Sequence, residues 1–199
     1  MSRFGAPSPK TVIEKAAAND SSVTSINLSG NALFMMKTFE YGNLLADALA
    51  GNTFVVELIL SKSGITNADC EWLCRLLETN KSVTSLDLEG NKIDSQGGVK
   101  IANGIEKNST LTHLNLLNQG PFGEGCMDAW LQAFTQNIIL SDLKWRLDSR
   151  KSFKLSKDLI RNKSIAKAKM EGKDWNMLLP DHLRAPVEAV AAAAKSAAE

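Results

Sequence analysis

Few residues in this chain have the types and spacing that catalysis or metal binding requires. The only two histidines, His113 and His182, are 69 positions apart. Cys70 and Cys74 share a helix face, but no second Cys/His pair completes a zinc site. Residues 120–125 are rich in glycine, yet they lack the Gly-Lys-Ser/Thr of a phosphate loop. We therefore predict no catalytic residue, no bound metal and no cofactor, and we expect a protein that is not an enzyme.

The side chains that can bind a partner are mostly basic and lie near the end of the chain. Residues 144–173 carry 11 basic and 3 acidic side chains, a net charge of +8, whereas residues 1–143 have a net charge of −5. Such an asymmetry steers an acidic partner, although a solvated helix face is the alternative. No aromatic residues alternate with the basic ones, so an acidic protein fits better than nucleic acid. The candidate contacts are Lys144, Arg146, Arg150, Lys151, Lys154, Lys157, Arg161 and Lys163.

A second group of candidate contacts is apolar. Phe34, Met35 and Met36 follow one another in a segment predicted to be a loop. Methionine side chains are flexible and polarizable, so an exposed group of this kind would make an adaptable contact with a partner. The alternative is that these residues pack beneath the loop into the core.

A sequence phrase that repeats along the chain predicts the fold that positions the basic and the apolar candidate contacts. It reads L-x-x-L-x-L-x-x-N, the pattern of a leucine-rich repeat. It starts at Val23, Val55, Val83, Leu111 and Leu140, with spacings of 32, 28, 28 and 29 residues. A polar marker stands three residues before each start. The markers are Asp20, Asn52, Asn80, Asn108 and Asn137, and Asn162 continues the series, so we expect a last, incomplete unit to begin there.

Each unit combines a short strand of alternating pattern with a segment of helical spacing. In the fifth unit the apolar helix positions are Phe153, Leu155, Leu159 and Ile160. The fold class is therefore α/β. We predict a right-handed leucine-rich-repeat solenoid, a horseshoe segment of about five repeats, with parallel strands on the concave face and helices on the convex face.

Asparagine and similar side chains have two predicted roles in this solenoid. The marker asparagines suit the left-handed turn that closes a helix. The polar residue that ends each phrase should hydrogen-bond main-chain groups of neighbouring coils, because an unpaired buried amide is costly. The phrase-ending residues are Asn31, Ser63, Asn91, Gln119 and Asp148.

The two ends of the array need caps. Residues 1–22 are predicted to be a capping helix that begins at Ser8 and Pro9. The repeat domain spans residues 23–164, and residues 165–199 form a C-terminal cap and an Ala-rich tail that opens at Pro186. Within that cap we expect a cluster to fold back over the last unit, with a partner-binding motif as the alternative. The cluster is Trp175, Met177, Leu178 and Leu179.

The cellular compartment is predicted from the targeting signals and the cysteine content of the sequence. There is no apolar run long enough to span a membrane and no secretory signal. The three cysteines are an odd number and are typical of free thiols in a reducing compartment. We predict a cytoplasmic protein, and we expect a monomer.

The number, order and irregularities of the units resemble the C-terminal domain of the tropomodulin and leiomodin family, within the ribonuclease-inhibitor-like class of repeats. The resemblance covers residues 11–173. It rests on the phrases at 76–91 and 111–119, on a degenerate fifth strand ending in Lys144 and Trp145, and on the basic ending at residues 160–163.

That resemblance implies a function as well as a fold. In the family this domain binds actin at filament pointed ends, and a separate N-terminal half binds tropomyosin. Only 22 residues precede the first phrase here, so the resemblance implies actin as a partner but not tropomyosin. Two other functions stay open: a GTPase-activating scaffold of the Ran-activator type, and a generic protein-recognition module with a partner other than actin.

Overall fold

The computed structural model describes residues 8–146, 149 and 151–184. In that part of the chain, short strands alternate with helices, and two 3₁₀ turns follow at Asn176–Leu178 and Asp181–Leu183. The strands are β1 Ser25–Asn27, β2 Glu57–Ile59, β3 Ser85–Asp87, β4 His113–Leu116 and β5 Asp142–Trp145. The helices are α1 Pro9–Ala17, α2 Ala32–Met36, α3 Thr38–Ala50, α4 Cys70–Thr79, α5 Ser95–Lys107, α6 Glu124–Gln136 and α7 Ser152–Met170.

The five strands form one parallel sheet in the order β1-β2-β3-β4-β5. The middle apolar residue of each phrase stays in register across the sheet, in the row Ile26, Leu58, Leu86, Leu114 and Leu143. Parallel neighbours require a crossover connection, which α2 and α3 supply between β1 and β2, and one helix supplies between each later pair of strands. The predicted leucine-rich-repeat solenoid is confirmed.

The core lies between the sheet and the helices as one continuous cluster from Ile13 to Leu155. The apolar residues of each phrase point inward. In the third coil these are Val83, Leu86 and Leu88, which are 3%, 1% and 0% exposed. The helices contribute Trp72 and other large side chains to the same layer. Burying one such side chain stabilises the fold by about 1.5–3 kcal/mol.

The marker asparagines are buried, and their side chains join successive coils. The Nδ2 of Asn80 donates to Leu49 O at 2.7 Å, and the Nδ2 of Asn108 donates to Leu77 O at 2.7 Å. Each Oδ1 accepts from the backbone N–H groups two and three residues later. The Nδ2 of Asn137 likewise donates to Ile105 O, and the Nδ2 of Asn52 donates to Ala16 O in α1.

The predicted left-handed turn at these markers is wrong. Asn80 has φ −71° and ψ 140°, and Asn108 has φ −80° and ψ 137°, so both are extended. The extended backbone leads straight into the next strand. The terminal carbonyls of the helix are then satisfied by the amide of the following coil rather than by a left-handed residue.

The phrase-ending residues form a second ladder, as expected at three positions. Asn91 donates to Leu60 O at 2.9 Å and accepts from Ser63 N at 2.9 Å. Gln119 donates to Leu88 O at 2.6 Å, and the Ser63 hydroxyl donates to Leu28 O at 3.0 Å. Asn31 differs, since it caps α2 by accepting from Phe34 N at 3.1 Å. Asp148 lies outside the described residues.

The expectation that a sixth unit begins at Asn162 is wrong. α7 runs for 19 residues through Ile165 to Met170, and no strand follows it in residues 171–184. Residues 161–170 are mostly alanine, lysine and arginine, which are strong helix formers, and they lack the alternation of a strand. Asn162 does not take the equivalent ladder acceptor, Phe134 O, which is bonded by Arg161. Its Nδ2 instead donates to Asn137 O at 3.2 Å and to Leu140 O at 2.8 Å.

The segment after α7 packs back on the last helices through few contacts. Leu179 is buried, whereas Met177 is 70% exposed. The Lys169 Nζ lies 4.3 Å from the centre of the Trp175 ring, and His182 is 3.4 Å from the Gln136 amide at the end of α6. The Ala-rich segment that opens at Pro186 lies outside the described residues. Among the helices that the structure describes, none is long and apolar enough to cross a membrane.

Candidate partner-binding surfaces

Five of the predicted basic contacts form an exposed group at the C-terminal end of the solenoid. Lys144 lies on β5 and Arg146 follows that strand, whereas Lys154, Lys157 and Lys163 lie on α7. Within residues 8–146, 149 and 151–184, no acidic side chain forms an ion pair with any of the five. We call this group the basic surface.

Lys151 and Arg161, two of the other predicted basic contacts, are engaged within the domain. The Lys151 Nζ lies 2.6 Å from Asp128 and 3.5 Å from Glu124, and the hydrogen bond to Asp128 raises the pKa of Lys151. Lys151 thus ties α7 to α6. Arg150 lies outside the described residues.

Arg161 is a structural residue, so the prediction that it faces a partner is corrected. Its side chain is 18% exposed. Its guanidinium donates to Phe134 O at 2.9 Å and Asn137 O at 3.2 Å, two carbonyls at the end of α6. It also pairs with Asp158 at 2.8 Å. These bonds hold the guanidinium against the protein rather than towards solvent.

The α7 part of the basic surface exists because the convex helices have no further acidic partners at the C-terminal end of the array. Helices of successive coils are joined by ion pairs whose cation is on the later coil. The pairs are Arg75–Asp47, Lys100–Glu71 and Lys107–Glu78, each at 2.8 Å. The acidic residues of α6 are Glu124 and Asp128, and both face Lys151. Lys154, Lys157 and Lys163 on α7 therefore form no ion pair with a described residue, whereas Lys167 pairs with Glu171.

Two apolar side chains accompany the basic surface. Phe153 is 68% exposed and Ile160 is 63% exposed, and they are seven residues, about two helical turns, apart on one side of α7. Lys157 lies between them, with its Nζ 4.6 Å from the centre of the Phe153 ring.

Of the four apolar helix positions of the fifth unit, Phe153 and Ile160 do not face the core. Leu155 is buried and Leu159 is half-buried, as expected. Positions 153 and 155 point about 200° apart on a helix, so they cannot share one buried face. This helical geometry is the signal in the sequence that would have distinguished the exposed pair, Phe153 and Ile160, from Leu155 and Leu159.

The apolar group in the first unit is a helix, not a loop. Phe34 is fully buried and stacks on Tyr41 with ring centres 6.3 Å apart, so it is not available to a partner. Met35 is 47% exposed and Met36 is 80% exposed, and Phe39 is exposed nearby. The exposed apolar residues of α2 and α3 thus lie at the opposite end of the array from the basic surface.

The model of the TMOD/LMOD leucine-rich domain matches residues 9–165, from the start of α1 into α7. The chain belongs to the tropomodulin/leiomodin leucine-rich domain family. Leiomodin-2 of Rattus norvegicus is 29% identical over 107 residues, which are 54% of this chain and 19% of that protein. Tropomodulin-4 of Mus musculus is 29% identical over 120 residues, 57% of this chain and 33% of that protein. The aligned part is thus a third or less of each relative's length.

Solved structures share the fold of this tropomodulin/leiomodin domain. One is described as leiomodin-1 actin-binding site 2; it superposes with a TM-score of 0.74 at 23% identity, over 84% of this chain and 96% of that one. The tropomodulin C-terminal domain of Caenorhabditis elegans has a TM-score of 0.75 at 17% identity, over 84% of this chain and all of that one. At these identities the likeness concerns the fold.

The concave face of this tropomodulin/leiomodin domain is polar, and its side chains form hydrogen bonds with one another between neighbouring coils. Ser25 donates to Glu57 at 2.8 Å, and Asn115 donates to Glu89 at 3.1 Å. These pairs satisfy side chains that would otherwise be available to a partner.

Burial raises the pKa of Cys70 to about 12 and that of Cys126 to about 11, which keeps both thiols protonated and unreactive at neutral pH.

Proposed function

We propose that this domain is a non-catalytic module that binds actin in the cytoplasm. The observation that carries the proposal is the family match over residues 9–165. A solved structure described as actin-binding site 2 of leiomodin-1 has the same fold over 96% of its length. The part of the chain that matches includes α7 as far as Ile165, and therefore includes the basic surface.

The basic surface, with Phe153 and Ile160, is our principal candidate for the contact. Protein interfaces combine desolvated apolar or aromatic anchors with a polar rim. Here two exposed apolar side chains on α7 are flanked by lysines that form no ion pair with a described residue. Such a surface favours an acidic protein face and gains on-rate from the net charge of residues 144–173.

The exposed methionines of α2 are a second, weaker candidate contact. Met35 and Met36 belong to the four-residue extension of the first unit. Their flexible side chains can adapt to an apolar partner surface. Because Phe34 is buried, the candidate contact at this end consists of Met35, Met36 and Phe39.

Pointed-end elongation of labelled actin filaments, together with cosedimentation, tests the proposal. We expect micromolar protein to slow elongation and to sediment with filaments. The double variant Lys154→Glu, Lys157→Glu should weaken the apparent affinity by roughly tenfold or more at low salt, and by less at high salt. Both lysines are exposed, so the fold should be kept.

A matched control reverses the same amount of charge elsewhere. Lys81 and Lys92 are exposed on the second and third coils, and Lys81→Glu, Lys92→Glu should leave actin binding nearly unchanged. An equal loss in both doubles would show only a net-charge effect. If the unaltered protein neither slows elongation nor sediments with filaments, actin is not the partner.

A further inference from the structure

The backbone of each coil forms hydrogen bonds with the next coil at the same two positions of the phrase. The third apolar residue of each phrase donates its N–H to the next coil: Leu28 to Ile59 O, Leu60 to Asp87 O, and Leu88 to Asn115 O, at 2.8–2.9 Å. A carbonyl earlier in the phrase accepts from the next coil, as Thr112 O does from Asp142 N at 2.9 Å. In the fifth coil the equivalent groups are the Trp145 N–H and the Ser141 carbonyl.

The fifth coil has no successor in the described part of the chain. α7 continues through the position where a sixth strand was expected, and no strand in residues 8–146 or 151–184 pairs with the outer edge of β5. The apolar row shows the same interruption. Ile26, Leu58, Leu86 and Leu114 are at most 2% exposed, whereas Leu143 is only half-buried. An edge strand with an apolar residue and forward-pointing backbone groups is a template for strand addition.

The charge beside the outer edge of β5 determines which kind of partner segment can pair with it as an added strand. Lys144 is exposed on β5 and Arg146 is exposed immediately after it, and neither forms an ion pair among the described residues. The acidic residue of β5 is Asp142, so cations outnumber acids at the edge. In an added strand, alternate side chains lie on opposite faces. One set would cover Leu143, and the other would lie beside Lys144.

We propose that the outer edge of β5 accepts an extended acidic segment of a partner protein as a sixth parallel strand. Its pattern alternates apolar residues, which pack over Leu143, with acidic residues, which pair with Lys144 and Arg146. Main-chain bonds to the Trp145 N–H and the Ser141 carbonyl supply the affinity, and the side chains supply the selection. The site does not depend on actin being the partner.

Nuclear magnetic resonance of the full chain with a synthetic peptide tests the proposal. The probe is a short peptide of alternating glutamate and valine, and the control probe alternates lysine and valine. The acidic peptide should shift the Trp145 amide signal saturably and slow its hydrogen exchange, while the signals of β1 Ser25–Asn27 stay unchanged. The basic peptide should leave Trp145 unaffected. Absence of a Trp145 response to the acidic peptide would overturn the proposal.

Two single variants separate the edge from general charge. Lys144→Glu should weaken binding of the acidic peptide by roughly five- to tenfold, whereas Lys92→Glu on the third coil should change it less than about twofold. Equal effects of the two variants would also refute the site. Concentration-dependent association that shifts β1 and β5 signals together would assign the edge to a second copy of this chain instead. The assay contains no actin, so its failure is distinct from a failure of the actin proposal.

Discussion

At the scale of single residues, the asparagine amide is what joins one coil to the next. It carries a donor and an acceptor on one short side chain, so it can bond two coils at once. Asn108 uses its Nδ2 for Leu77 O and its Oδ1 for the N–H groups of Thr110 and Leu111. The residue is 6% exposed, so water cannot replace these bonds.

Asn108→Ala should therefore lower the free energy of unfolding by about 2–4 kcal/mol, because buried backbone groups lose their partners. Urea denaturation followed by circular dichroism measures the change. Lys107→Ala is the matched control, since Lys107 is exposed and its ion pair with Glu78 contributes at most about 1 kcal/mol. Similar losses in both variants would contradict the role assigned to the amide.

The sequence predicted where these asparagines stand but not their backbone conformation. Asparagine is compatible both with a left-handed helix end and with an extended residue whose amide bonds a neighbouring coil. The choice depends on a carbonyl supplied by a coil about thirty residues earlier, such as Leu49 for Asn80. A pattern within one repeat contains no information about that carbonyl.

At the scale of elements, α7 is attached to the array differently from the helices before it. Its buried apolar residues are Leu155 and Ile165, and polar bonds provide much of the remaining attachment. Arg161 reaches back to Phe134 O and Asn137 O, where it caps the end of α6. A planar guanidinium can serve both carbonyls and Asp158 together, which an ammonium cannot.

Arg161→Ala should lower the free energy of unfolding by about 2–4 kcal/mol, and Arg161→Lys should restore less than half of that loss. Thermal and urea unfolding give both values. Lys163→Ala, two positions along on the exposed side of α7, should stay within about 0.5 kcal/mol of the parent protein. A neutral Arg161→Ala variant would return this residue to the list of candidate partner contacts.

The sequence predicted the strand and helix of the first four coils better than those of the fifth coil. In the first four coils the strand and helix patterns agree with each other. In the fifth, the spacing of Asn162 from Ile165 predicts a new unit, whereas the helix formers around it favour continuation of α7. The local propensity prevailed because Asn162 can make its bond to Leu140 O from a helix as well.

At the scale of the whole molecule, one core extends through every coil. Trp72 in the second coil and Trp130 in the fourth are both 0–1% exposed within the same cluster. No coil buries its apolar face without its neighbours, so the array should behave as one cooperative unit.

Fluorescence from the two ends of the array tests this cooperativity. Trp72→Phe leaves the signal to the tryptophans of the fourth and later coils. The triple variant Trp130→Phe, Trp145→Phe, Trp175→Phe leaves Trp72 alone as the reporter of the second coil. In each variant we expect the fluorescence transition in urea to coincide with the loss of ellipticity. A fluorescence transition that precedes the ellipticity change in one variant only would show that one end unfolds separately.

The amide ladder also has a direction, and the direction matches that of protein synthesis. Asn52, Asn80, Asn108, Asn137 and Asn162 each donate to a carbonyl earlier in the chain. A nascent chain leaves the ribosome from its N-terminus, so every acceptor has already emerged when its donor appears. Each new coil can therefore dock on a finished one, and the chain can fold as it is made without waiting for its C-terminal end.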